Sequence, residues 1–306
     1  MYPDLYAEGE IDEDEKKQLK KNVTGLMIWK IGGTTRNTLD SIVISSFLGL
    51  ISVAMYNNYF FVINGVNAFL LVISSSMLSG VGNKIATESP EKNYEDFAKF
   101  HFYYMWISGL CVVTMTCLFQ PFMKVWMGEE LMFPNQIMFL FCYYFWMLKQ
   151  GDINSVYYQA AGLWWYGKWR SVIEAILNLA LNILLGYLFG IIGILMATII
   201  SFTCVYFYGS KFVFTEYFKN GKLFSFFLEN IVYLVCTLVT TAASFFIVNL
   251  FFSEIEGILG IIVIGLFCVI IPNLFFALMF SIDRTKHNYI IDVVNRLKNI
   301  RRVRDE

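Results

Sequence analysis

The most constraining feature of this chain is a series of apolar runs separated by short connections that hold most of its charge. The run "ILGIIVIGLFCVIIPNLFFALMF" contains no charged residue at all. Crossing a bilayer takes about 20 residues of helix. On that length scale the runs predict eight spans, at about 24–48, 53–80, 101–120, 135–157, 171–188, 191–210, 227–250 and 258–281, the third ending at Pro121. Charged residues are 15% of the chain and hydrophobic ones 57%, against roughly 25% charged in an average soluble domain. The expected fold is an all-α polytopic membrane protein, a six-helix bundle plus two additional transmembrane helices.

Lysine and arginine are distributed unevenly over the connections. With the N-terminus taken as cytoplasmic, Lys16, Lys17, Lys20, Lys21, Lys84, Lys92, Lys99, Lys168 and Lys211 all fall inside, whereas Lys124 falls outside beside Glu129 and Glu130. The basic C-terminal tail falls inside too. Positive residues favour the cytoplasmic side, so both termini are expected there, in a cell membrane protein with membrane lipids as neighbours. The expected organisation is a cytoplasmic segment 1–21, a six-helix bundle 22–212, two further spans 213–282 and a cytoplasmic tail 283–306. Residues 1–21 run from acidic to basic without an apolar core, so they do not read as a cleavable leader. In the tail, Ile290, Val293, Val294, Leu297 and Ile300 fall on one helical stripe with basic residues opposite. That pattern fits either an interfacial helix on an anionic leaflet or a tail packed on its own bundle.

Several function classes find no support. A net charge of −1 offers no basic bias toward nucleic acid. The six cysteines lie in apolar runs with no CxxC pair, and His101 and His287 have no ligand-spaced companions. No metal or cofactor is expected. There is no HExxH, no glycine-rich nucleotide loop and no outer segment long enough for a catalytic cluster, so no enzyme is expected either.

Charges within the spans are more informative. Arg36 and Asp40, Lys149 and Asp152, and Arg170 and Glu174 stand three or four residues apart, close enough to share a helix face. Lys149 and Asp152 fall near the cytoplasmic end of the fourth span, where snorkelling would satisfy them. Arg170 reads as a cytoplasmic anchor. Arg36 and Asp40 fall about 18 and 24 Å along the first span, from the helical rise. At that depth they must face a wet cavity or a bundle interior. Lys30 precedes them on nearly the same face. The second span adds Asn57 and Asn58, and Glu174, Asn178 and Asn182 follow at four-residue steps in the fifth. Such a stripe either holds helices together or lines a polar path. Lys30, Arg36, Asp40, Asn57, Asn58, Glu174, Asn178 and Asn182 are the candidate path or coupling residues.

The segments "LDSIVISSFLGLISVAMYNNYFFVI", "SGVGNKIATESPEK", "FMKVWMG" and "YYQAAGLWWYGKWRSVIEAILNLALNILLGYLFGIIGILMATIIS" resemble, in order, the polysaccharide (lipid-linked oligosaccharide) flippases of the multidrug/oligosaccharidyl-lipid/polysaccharide exporter superfamily. In the last segment Gly186, Gly190 and Gly193 would permit a close turn between the fifth and sixth spans. The resemblance implies the second six-helix bundle of such a flippase plus two terminal helices. It implies a lipid-linked glycan as substrate, alternating access as mechanism, and a truncated or split half that pairs with a separate N-terminal half or a second copy. Two alternatives stay open: a multidrug or small-molecule exporter of the same superfamily, and a non-transporting membrane scaffold or inactive fragment.

Overall fold

The computed structural model describes the backbone of residues 12–252 and 254–305, and their side chains except 29, 32–38 and 296–305. The described residues contain helices and no strand: α1 (Glu13–Ser76), α2 (Leu78–Thr87), α3 (Pro90–Met127), α4 (Asn135–Gln150), α5 (Asp152–Ala160), α6 (Arg170–Phe212), α7 (Leu223–Phe251), α8 (Gly257–Phe280) and α9 (Arg284–Asp305). Five stretches among these residues are long and apolar enough to cross a membrane: Leu39–Thr87, Pro90–Met127, Leu163–Phe218, Leu223–Phe251 and Gly257–Phe280.

Two of these stretches are folded back on themselves. Gly49 has φ 83° and ψ 170° inside α1, and Gly190 has φ 60° and ψ −136° inside α6. Side chains clash in such backbone, which is why glycine stands at both bends. Hydrogen bonds between the arms, Tyr56 to Asp40 in α1 and Asn178 to Thr198 in α6, fix the chain reversal. Close approach of the α6 arms also needs Gly193, where an added Cβ would stand 1.9 Å from the Leu185 carbonyl oxygen.

Helices α6 and α7 turn many of their apolar residues outward and their polar ones inward. Along α7 the buried positions include Asn230, Tyr233, Thr237, Thr240 and Ser244, while Ile231, Val232, Val235, Leu238 and Val239 are exposed. The first arm of α6 buries Ser171, Glu174, Asn178 and Asn182 and exposes Ile173, Ile176, Ile183 and Leu184. Water-soluble domains rarely expose apolar surface on this scale. The arrangement is compatible with a multi-pass membrane protein whose outer surface meets hydrocarbon.

Helix α3 does not end at Pro121. It runs on to Met127 with the proline inside it, as membrane helices tolerate when neighbours satisfy the freed backbone groups. It is also the post on which α7 and α8 dock. Gly109 sits where both press in: a Cβ there would be 2.9 Å from Phe276 Cζ and from Thr237 Oγ1. His101 Nε2 lies 2.8 Å from Asn230 Oδ1, and Trp106 Nε1 donates to Asn273 Oδ1 at 2.9 Å. In α9, Tyr289 and Ile290 are half-buried while Val293 and Val294 are exposed. Among the described side chains, the first part of α9 meets α3, where Tyr103 donates to the Tyr289 carbonyl at 2.9 Å and Lys99 pairs with Asp292. Leu297 and Ile300 lie outside the described side chains.

Candidate functional site

Asp40 is the centre of a buried polar network between the α1 and α6 hairpins. Its side chain is only 5% exposed. Asn182 Nδ2 donates to Oδ1 at 2.6 Å and the Tyr56 hydroxyl to Oδ2 at 3.0 Å. Thr198 Oγ1 lies 3.3 Å from Oδ2 and 3.1 Å from the Ile194 carbonyl oxygen, so one hydroxyl proton serves both. Asn182 also donates to Asn178 Oδ1 at 3.0 Å, and Asn178 in turn to Thr198 and Ser201. Buried polar groups need such partners, and a carboxylate needs them most.

The network opens on a cavity of about 210 Å³ lined by Asp40, Ser41, Tyr56, Asn57, Asn64, Asn67, Tyr144 and Thr198. Its polar side chains are one carboxylate, four hydroxyls and three amides, which offer oxygens as acceptors and N–H and O–H groups as donors. Among the described residues, buried Asn182 Oδ1 has no hydrogen-bond partner. The arrangement can hold a proton on Asp40, or a small cation among oxygens, and can hydrogen-bond a hydroxyl-rich ligand.

The structure brings some of the expected residues together and separates others. Asp40, Asn178 and Asn182 form one network, and Asn57 lines its cavity, with Ser41 Oγ 3.5 Å from Asn57 Oδ1. Asn58, the next residue along the helix, is half-buried and does not line that cavity. Lys30 is exposed and does not line it either. The side chain of Arg36 lies outside the described residues. Glu174 is buried on the Asn178 stripe but lines a second cavity, of about 200 Å³, with Arg170, Ser171, Asp152 and Tyr206.

Lys149 corrects the snorkelling expectation. Its side chain is 0% exposed, with Nζ 2.6 Å from Asp152 Oδ2 and hydrogen-bonded to Asn67 Oδ1. Residues of α1 and α5 hold its ammonium inside the fold rather than at an exposed helix end. Tyr56 and Thr198 are site residues that spacing within one helix did not single out. Hairpin register would have found them: Asp40 and Tyr56 lie at nearly equal distances from Gly49, and Asn182 and Thr198 lie at equal distances from Gly190.

No family model matches the chain, and no curated protein or solved structure was found to match it.

Proposed function

We propose that this chain forms one half of a membrane transporter for lipid-linked oligosaccharides, working by alternating access in polysaccharide biosynthesis. The observation that carries the reading is Asp40, a buried carboxylate held by α1 and α6 and facing a polar cavity. Intramembrane carboxylates are costly and mark transport paths. Counting each bent helix as two crossings and α4–α5 as one, the chain crosses eight times, with both termini cytoplasmic. Asp40 couples transport to a proton or cation. Asn57, Asn178 and Asn182 shape the path, Glu174 extends it, and Lys30 and Arg36 attract the anionic head of the substrate.

The resemblance to the polysaccharide flippases supports this substrate class, and the polar cavity wall favours a glycan over an apolar drug. Rocking of two halves about a shared path requires a partner bundle, from a second chain or a second copy. The test is a flipping assay with Asp40→Asn and Arg36→Ala in the assembled transporter. Loss of flipping at normal expression is expected, and normal flipping by both variants would sink the reading.

A further inference from the structure

The Lys149–Asp152 pair stands between two cavities. A third cavity, of about 470 Å³, is lined by Ser74, Ser75, Asp152 and Gln159. It lies at the end of α1 remote from the Gly49 bend. The Asp40 cavity extends down the same arm to Asn67. Lys149 bonds to Asn67 on one side and to Asp152 on the other, and so links a residue lining the Asp40 cavity to a residue lining the third cavity. Tyr104 of α3 also donates to Asp152. Four helices thus converge here: α1, α3, α4 and α5. The pair flanks Gly151, where α4 ends and α5 begins. Parting the pair would leave a buried charge uncompensated, and such a charge draws in water.

We propose that Lys149–Asp152 is the inner barrier of the polar path. Closed, it seals the Asp40 cavity from the cavity at Ser75; parted, it joins the two. The proposal rests on the reading of the Asp40 cavity as a water-filled path, and it assigns residues which that reading does not use.

Cysteine accessibility in membrane vesicles of both orientations tests it, with the full chain carrying Cys204→Ser and an impermeant maleimide as probe. Ser75→Cys should react from one face in every background. Asn64→Cys should react slowly from that face while the pair is intact, and at least tenfold faster with Asp152→Asn. The exchange Lys149→Asp with Asp152→Lys should restore the slow rate. If Asp152→Asn folds poorly, Lys149→Gln, which neutralises the other member of the pair, carries the same comparison. Unchanged Asn64→Cys rates, or rapid reaction with the pair intact, would overturn the barrier and leave the path standing. No reaction of Asn64→Cys from either face in any background would overturn the path itself.

Discussion

Tyr56 donates a 3.0 Å hydrogen bond to Asp40 although the two stand 16 residues apart within one helical element. A straight helix would hold them about 24 Å apart. The bond exists because Gly49 folds the element in two, so the polar network depends on a residue that takes no part in it. Gly49→Ala should destabilise the protein by about 1–3 kcal/mol, the cost of a side chain in glycine-only backbone. Gly65→Ala, in the same element with open space around it, should instead gain about 0.5–1 kcal/mol. Unfolding in mixed micelles measures both.

Tyr56→Phe and Asn182→Ala each remove one donor from Asp40. Each should cost about 1.5–3 kcal/mol, the range for hydrogen bonds to charged groups. The double variant should not be additive, because both donors serve one carboxylate. Additive losses in a double-mutant cycle would mean that the two bonds act separately.

Docking of α9 should depend on pH through Asp283. Burial pushes its carboxyl up, but backbone N–H groups of Thr285 (2.8 Å) and Lys286 (3.4 Å), with the Lys286 ammonium, outweigh this and hold it below the usual range. A depressed carboxyl stabilises the folded form fully above its unfolded pKa of about 3.9. That stability is lost as pH falls through the lower folded value. Hydrogen exchange of α9 amides should therefore be pH-independent in protection near neutrality and lose protection in acid. Asp283→Ala should lose about 1 kcal/mol of protection, typical of an N-cap, already at neutral pH.

Gly109→Leu should loosen α7 and α8 from α3, since both Phe276 and Thr237 already occupy the space of its Cβ. Overpacking of this kind costs about 1–3 kcal/mol. Limited proteolysis near Gly221, in the connection before α7, should quicken, while cleavage near Gly162 should not.

Much of this organisation is legible in the amino-acid order. The apolar runs mark the helices, and the four-residue steps of Glu174, Asn178 and Asn182 mark a buried stripe. The glycines at 186, 190 and 193 mark a close turn. What is not legible is which face of a helix finds a neighbour. Adjacent Asn57 and Asn58 have identical chemistry, yet only the first lines the cavity. Lys149 sits near a helix end, where a lysine ordinarily reaches water. Its ammonium is instead bonded to an asparagine of α1, 82 residues away in sequence. Local spacing carries no information about such long-range covers.

Asn230 of α7 touches His101 of α3 through Oδ1 and donates through Nδ2 to the Tyr206 hydroxyl of α6, 3.2 Å away. One amide thus couples α7 to two other helices, α3 and α6. Mechanically, α7 is a strut rather than a hinge. In the transporter proposed above, α7 and α8 should travel with α3 and α6 as one lever when its halves rock. A distance label on exposed Ile262 of α8 would then report the swing of the whole bundle at long radius.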